Sequence, residues 1–145
     1  MGPVSRPSPS KLISKVPKVA PKGSGRRKSY PESTKDALID VAETLFTEHG
    51  YAGASLDAIV AGAEVTKGAL YHHFSGKQAV FEAVFERIDE RCSAAIHDAT
   101  DAEDDPWEKA QAGLRTFLQI VQQPAYRRVV IQDAPSVMGY ERFRE

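Results

Sequence analysis

The chain has 145 residues, of which 41% are hydrophobic, so its length and composition fit one folded domain with a packed core. Its net charge of −1 hides an asymmetry, because residues 1–29 hold eight Lys and Arg with no Asp or Glu. A single cysteine, Cys92, excludes an internal disulfide, and no apolar run approaches the ~20 residues of a membrane span or the core of a signal peptide, so we expect a cytoplasmic protein with no membrane partner.

The first 30 residues form a basic arm that is rich in Pro, Ser, Lys and Gly. Such a composition buries too little apolar surface to offset the entropy of ordering, so we expect residues 1–30 to be disordered. Unopposed positive charge beside an acidic body indicates a polyanionic partner, although a tail that only aids solubility is the alternative. The candidate DNA contacts of the arm are the three cations next to the first helix, Arg26, Arg27 and Lys28.

The first predicted helix spans residues 34–49. Ser33 is expected to cap its N-terminus, with Asp36 at the third helical position, and Gly50 is a typical residue to end it. Apolar residues follow the i, i+3, i+4, i+7, i+8 spacing of a helix with one buried face, namely Leu38, Val41, Ala42, Leu45 and Phe46.

Residues 55–74 predict two short helices around a tight turn. Ser55 is a good N-cap with Asp57 in the first turn behind it, and Thr66 is expected to cap the second helix, which would end near Phe74. The first of these two helices has one apolar stripe, made by Leu56, Ile59, Val60 and Ala63.

On a helical wheel the second short helix separates into two faces. Its inward face would hold Ala69, Leu70, His73 and Phe74, and its outward face Lys67, Gly68, Tyr71, His72 and Ser75. The outward face thus offers a cation, a bare backbone, a phenol and an imidazole, and the major groove of DNA admits a helix of this kind. Because glycine within a helix costs roughly 1 kcal/mol relative to alanine, Gly68 indicates a close approach of this helix to a partner.

This region resembles the helix-turn-helix of TetR-family (tetracycline-repressor-like) transcription regulators. The resemblance covers residues 31–92 well and residues 93–145 loosely. The positions that carry it are Ala42, Leu45, Phe46, Gly50, Tyr51, Ser55, Ile59, Ala63, Val65, Thr66, Lys67, Gly68, Leu70, Tyr71, Phe74 and Lys77. Glu64 departs from the family pattern, which often has Gly before the Val, and it would be strained if that turn requires a positive φ.

The resemblance implies a DNA-binding head at residues 31–92 and a partial ligand-binding and dimerisation module at residues 93–145. It also implies DNA contact by Tyr71 and phosphate contact by Lys77, which lies in the first turn of the next helix, where backbone N–H groups favour an anion. The candidate DNA-binding residues of the head are therefore Ser55, Thr66, Lys67, Gly68, Ala69, Tyr71, His72 and Lys77.

The fourth predicted helix begins at a capping box formed by Ser75 and Gln78 and runs for about 22 residues, or roughly 33 Å. A helix of this length can connect the head to a second module. An acidic loop at residues 101–105 follows it. That loop lacks the Gly and the Glu that a calcium loop needs at its sixth and twelfth positions, so Asp105 is interpreted as a helix cap with Pro106 behind it.

The fifth predicted helix carries Trp107, Phe117 and Leu118 on one face. These side chains would line either a ligand pocket or a plain bundle core, and the sequence does not separate the two interpretations. Pro124 interrupts the helix, and residues 126–132 and 135–145 predict two further short helices.

Catalytic and metal chemistry are weakly indicated. His72 and His73 are adjacent and therefore about 100° apart on a helix, and neither His49 nor His97 has a partner at metal-ligand spacing. No activated nucleophile or Gly-rich phosphate loop is present. We therefore expect no enzymatic activity, no metal and no cofactor.

The sequence predicts an all-α fold with a three-helix helix-turn-helix head, a long connecting helix and a partial helical regulatory module. The resemblance implies a sequence-specific transcription regulator, a repressor that a small-molecule effector releases from double-stranded operator DNA and that binds as a homodimer. The alternatives are a helical interaction protein whose arm binds nucleic acid nonspecifically, and a truncated regulator with impaired dimerisation and exposed apolar surface in its last segments.

Overall fold

The computed structural model describes residues 31–139, with side chains from Ser33 onward, and every regular element in this range is helical. The elements are α1 (Pro31–Gly53), α2 (Leu56–Ala63), α3 (Lys67–His73), α4 (Lys77–Asp101), α5 (Pro106–Ile120), a π-helical segment (Tyr126–Asp133) and α6 (Ala134–Met138). The prediction of an all-α fold is confirmed. None of these helices combines the length and the apolar character needed to cross a membrane. The predicted disorder of the arm falls outside the described residues.

The core is centred on three aromatic rings. Phe46 of α1 and Phe81 of α4 meet edge to face with 5.3 Å between ring centroids, and Tyr51 lies 5.8 Å from the first ring and 5.3 Å from the second. The buried cluster around them draws side chains from every element except α5, and its members include Leu38, Ala42, Ile59, Leu70, Val80, Val84, Ile88, Val129 and Ala134. The C-terminal segments therefore pack into the same core as the helix-turn-helix.

The end of α1 is set by glycine, as the sequence predicted. Gly50 has φ 78° and ψ 171°, which breaks the helical path before a last turn that reaches Gly53. The predicted start of α1 is wrong, because the helix already begins at Pro31 and Ser33 lies inside it. Proline suits the first helical position, since its missing N–H has no partner there in any helix.

The predicted capping box of α4 is also wrong. The N-cap is Gly76, whose extended backbone has φ 170°, and no side chain caps the helix. Gln78 instead donates from its side chain to Glu82 Oε2 over 3.1 Å, one turn further along. Three ion pairs join α4 to α1 in the described part of the chain: the Arg87 guanidinium contacts Asp40 and lies 3.8 Å from Asp36 Oδ1, and Arg91 Nη2 lies 2.6 Å from Glu43 Oε2.

The start of α5 follows the prediction, but its apolar face does not. Asp105 caps the helix by accepting from the backbone N–H groups of Trp107 and Glu108, with Pro106 at the first position. The predicted interior side chains are on the surface instead, since Trp107 is 68% exposed and Phe117 and Leu118 are also exposed. This face of α5 therefore neither lines a pocket nor packs into the core in the described structure, so neither of the two interpretations of the sequence applies to it.

The last elements differ in detail from the two predicted helices. The segment expected at residues 126–132 is a π-helix that ends at Asp133, and α6 begins at Ala134, one residue before the predicted Pro135. Val129 and Val130 are buried, so the apolar surface expected in this region is limited to exposed Ile131 and half-buried neighbours. Residues 140–145 lie outside the described range.

A polar contact ties the π-helical segment back to the end of α1. Asp133 Oδ2 accepts a 2.8 Å hydrogen bond from the Tyr51 backbone N–H, across 82 residues of sequence. Arg128 Nε lies 3.6 Å from the same carboxylate oxygen, and its guanidinium covers Gly50 so closely that any side chain there would overlap it. The carboxylate thus satisfies a backbone donor that the break in α1 leaves free.

The crossing of α2 over α1 depends on Gly62. A Cβ atom at this position would lie 2.7 Å from Val41 Cγ1, closer than real Cβ contacts allow. Valine has one strongly preferred rotamer in a helix, so its methyl group cannot simply turn away. The glycine, which weakens α2 as an isolated helix, permits the close packing that orients the helix-turn-helix.

We expect Gly62→Ala to lower the free energy of unfolding by about 1 kcal/mol in urea titrations. The overlap of the new methyl group with Val41 should destabilise the fold by about 1–3 kcal/mol, and the higher helix propensity of alanine should offset up to about 1 kcal/mol of this loss. In the double variant with Val41→Ala the loss should be smaller than the sum of the single losses, because the overlapping methyl group is gone. Strictly additive losses would contradict this contact.

Candidate nucleic-acid interface

The turn between α2 and α3 is held by local hydrogen bonds. Ser55 Oγ accepts from the Ala58 N–H, and Thr66 Oγ1 accepts from the Ala69 N–H, each over 3.0 Å, so both predicted caps are confirmed. Glu64 has φ 57° and ψ 44°, which is the left-handed conformation. The turn therefore does require a positive φ at the position where this sequence has Glu instead of the Gly that the family often has.

The backbone bonds around Glu64 explain why this conformation is needed. The Val65 N–H donates to the Val60 carbonyl and the Glu64 N–H donates to the Ala61 carbonyl, which is the pattern of a Schellman C-cap. A non-glycine residue in the left-handed region costs roughly 1–2 kcal/mol. The turn therefore carries a local strain that the surrounding packing holds in place.

The inward face of α3 is anchored in the core. Leu70 is fully buried and Phe74 is 6% exposed, and Lys35 Nζ lies 5.9 Å above the Phe74 ring. His73 is half-buried, with its ring 5.0 Å from that of His72. These contacts fix the rotation of α3 about its own axis.

The outward face has the composition that the helical wheel predicted. Tyr71 is 52% exposed, and Lys67, Gly68 and His72 are exposed as well, whereas Ala69 is half-buried at the border of the two faces. Gly68 is the second residue of α3, and a Cβ there would meet only Thr66 Oγ1 at 3.8 Å. Internal packing therefore does not require glycine at this position.

Lys67 has an intramolecular partner that the sequence interpretation missed. Its Nζ lies 2.6 Å from Asp57 Oδ1 on the first turn of α2, and both side chains are at least half exposed. The hydrogen bond to Asp57 and the charge of that carboxylate raise the pKa of Lys67. Exposed ion pairs contribute little to stability because solvent screens them, so Lys67 can leave Asp57 for another acceptor at little cost.

Lys77 lies on an aromatic platform. Its Nζ is 4.4 Å from the centroid of the Tyr51 ring, a cation–π contact, and burial together with the charge of Glu82 raises the pKa of the Tyr51 phenol. Because no side chain caps α4, the N–H groups of its first turn are open beside this lysine. The residue Tyr51 belonged to the family resemblance, but no sequence spacing indicated that it would support Lys77.

The remaining candidates divide between the interface and the undescribed arm. Ser55 and Thr66 are exposed at the starts of α2 and α3, on the same helix-turn-helix as the outward face. Arg26, Arg27 and Lys28 lie outside the described residues. Between residues 31 and 139, no group of three or more His, Cys, Asp or Glu is arranged to hold a metal ion.

Two family profiles match the chain. The family described as "Bacterial regulatory proteins, tetR family" matches residues 38–84, and "Tetracyclin repressor-like, C-terminal domain" matches residues 107–145. The chain belongs to the TetR family. TetR-family proteins are transcriptional regulators and not enzymes; they bind DNA operators and typically small-molecule effectors.

Individual relatives agree with this placement. The Transposon Tn10 TetC protein of Escherichia coli is 30% identical over 109 residues, 75% of this chain and 55% of TetC. The negative transcriptional regulator IcaR of the Staphylococcus aureus biofilm operon icaADBC is 46% identical over 48 residues, 33% of this chain and 26% of IcaR. The crystal structure of a TetR-family transcriptional regulator from Pectobacterium atrosepticum superimposes with a TM-score of 0.69 at 36% identity, covering 79% of this chain and 59% of that one. The chain thus spans a little over half the length of TetC and of the Pectobacterium regulator.

We expect Gly68→Ala to stabilise the fold, raising the free energy of unfolding by about 0.5 kcal/mol, since alanine restricts the unfolded chain and its methyl group would make only an ordinary van der Waals contact with Thr66 Oγ1. Urea unfolding measures the change. Gly113→Ala on α5 is the matched comparison, because a Cβ there would lie 3.1 Å from Thr100 Cγ2 and the gain should be smaller. A loss of stability in Gly68→Ala would mean that the fold itself needs the glycine.

Proposed function

We propose that this protein is a sequence-specific DNA-binding transcriptional regulator, a repressor that reads its operator with the outward face of α3. The observation that carries the proposal is the division of α3, in which buried Leu70 and Phe74 fix the helix while Tyr71 is 52% exposed beside a free backbone at Gly68. A seven-residue helix with no internal use for its glycine or its outward phenol has the form of a recognition helix.

The base-reading set consists of Lys67, Gly68, Ala69, Tyr71 and His72. Lysine is a frequent partner of guanine in the major groove, and the small residues let the backbone approach the base edges. To reach a base, Lys67 leaves Asp57, which costs little because the pair is exposed.

The phosphate-binding set consists of Ser55, Thr66 and Lys77, joined by the arm cations Arg26, Arg27 and Lys28. Each cap hydroxyl accepts one backbone N–H, and its own hydrogen is left to donate to a phosphate oxygen. The uncapped first turn of α4 supplies further N–H donors beside Lys77, and the helix dipole there favours an anion.

We further propose a cytoplasmic homodimer that a small-molecule effector controls. One head reads only a few base pairs, so two-fold pairing extends the site, with half-sites about one helical turn, ~34 Å, apart or a multiple of this distance. The exposed apolar face of α5, with Trp107, Leu114 and Leu118, supports a role for this helix in association.

Lys67→Ala and Lys77→Ala should weaken DNA binding in different ways. Loss of a base contact should cost ~1–3 kcal/mol on the preferred sequence and relax specificity, so Lys67→Ala should affect cognate DNA more than random DNA. Loss of a phosphate contact should weaken all sequences alike and reduce the log–log salt slope by about one for Lys77→Ala. The measurement is a salt titration on a selected operator and on a random duplex, after binding-site selection.

Arg127→Ala, which removes an exposed cation from the π-helical segment, is the matched control and should leave both affinities unchanged. Gly68→Ala adds a variant that is expected to be more stable yet bind less tightly, which separates a lost contact from a lost fold. If Lys67→Ala loses the same amount of affinity on cognate and on random DNA, Lys67 does not belong to the base-reading set. If the unaltered protein binds cognate and random DNA with equal affinity, the proposal of a sequence-specific regulator is refuted.

Deleting residues 1–28 should reduce the log–log salt slope of DNA binding by roughly 3.6, if about four of the arm's eight cations meet phosphates. Basic arms beside helical heads enter the adjacent minor groove, so the loss should appear on every sequence. A variant without the deletion, in which Arg26, Arg27 and Lys28 are changed to Gln, tests the segment that precedes α1 in the sequence. An unchanged slope in the truncated protein would show that the arm makes no phosphate contacts.

A further inference from the structure

A pocket of about 660 Å³ lies where α1, α4 and the start of the π-helical segment meet. Its volume is within the range of roughly 300–1,000 Å³ that is typical of small-molecule sites. The apolar part of the wall includes Ile88 and Cys92 from α4 and Ile120 from the end of α5, all buried. The pocket does not share a residue with the proposed DNA interface.

The polar part of the wall is acidic. Glu43 and Glu48 of α1 line the pocket, and Arg91 is the cation among the described lining residues. Thr47 also lines it, and its buried hydroxyl has no hydrogen-bond partner within residues 31–139. Burial raises the pKa of the Cys92 thiol, with the charge of Asp89 as a second cause. Burial also raises the pKa of the Tyr126 phenol, followed by the effects of Cys92 and Asp89, so both groups stay neutral at physiological pH.

The ion pair between Glu43 and Arg91 decides which charge a ligand can carry. Glu43 is 17% exposed and Arg91 is 56% exposed, with 2.6 Å between the paired atoms. A cationic ligand that replaces the guanidinium keeps the carboxylate paired and releases Arg91 to water. An anionic ligand that recruits Arg91 leaves the more buried carboxylate unpaired, which is the costly outcome.

We propose that this pocket binds an apolar organic cation, whose charged group pairs with Glu43 and whose body packs on the apolar wall. The role of this ligand as the effector rests on the proposed function, whereas the binding itself does not. Ala125 and Tyr126 line the pocket at the start of the segment that ends at Asp133, which holds the Tyr51 N–H. A ligand in the pocket would contact the start of this segment, and the proposal extends to an effect on the hydrogen bond that joins the end of the segment to the head.

Tetraphenylphosphonium and tetraphenylborate form a suitable pair of probes, because they have nearly the same size and shape and opposite charge. Calorimetric titration of the full chain should give at least tenfold tighter binding of the phosphonium. Glu43→Gln should weaken phosphonium binding about tenfold. Arg91→Gln should strengthen it, because the competing internal cation is gone. Glu86→Gln, an exposed carboxylate on α4 outside the pocket wall, should have no effect.

The increase expected for Arg91→Gln distinguishes a bound ligand from a merely structural effect, since loss of a surface ion pair alone does not improve binding. Equal binding of the two probes, tighter binding of the borate, or no binding of the phosphonium would overturn the proposal. Affinity that does not respond to Glu43→Gln would also overturn it, and would assign the cation to another apolar surface such as α5.

Hydrogen exchange of the Tyr51 amide, followed by NMR, tests the connection to the head without DNA. Phosphonium should change the exchange rate of the Tyr51 amide in the full chain. The change should be absent in Asp133→Ala, because the Tyr51 N–H has no carboxylate acceptor in that variant. An unaltered rate in the ligand-bound protein would contradict the connection. Absence of operator binding alongside normal phosphonium binding would refute the proposed regulator and leave the pocket assignment intact.

Discussion

The surface of α3 depends on the burial of Leu70 and Phe74. A seven-residue helix is too short to be stable in water by itself, because isolated helices shorter than roughly 12–15 residues are marginal. The core that receives these two side chains is centred on Phe46 and Phe81, so packing from α1 and α4 determines both that α3 exists and which way it faces. Every property assigned to its outward residues follows from this constraint.

Features decided by near neighbours could be predicted from the sequence. Ser55, Thr66 and Asp105 each accept hydrogen bonds from backbone N–H groups two or three residues ahead, so the residue type and its position before an apolar run were sufficient. The periodicity of buried residues gave the helices and the two faces of α3 for the same reason. The break at Gly50 was likewise visible, since a positive φ has few alternatives to glycine.

Features decided by tertiary contacts could not be predicted. Ser75 has the residue type of a cap, but the extended backbone of Gly76 takes the N-cap position of α4. The partners of Lys77 and of the Tyr51 N–H are a distant ring and a distant carboxylate, which no local spacing encodes. The prediction for α5 was wrong for another reason. Helical spacing places Trp107 and Leu118 on one side of the helix, but it contains no information on whether other side chains cover them, and both are exposed.

The pairing of Lys67 with Asp57 affects how a protein of this kind would search along DNA. If α3 reads DNA as proposed, Lys67 would stay paired with Asp57 on sequences that offer it no favourable contact, and this pairing would reduce the positive charge that α3 presents to passing phosphates. On the preferred sequence, the contacts of the whole interface would have to outweigh only a weak, exposed ion pair to release the lysine. An internal ion pair of small energy would then lower the nonspecific attraction of this helix to DNA without preventing its specific contact.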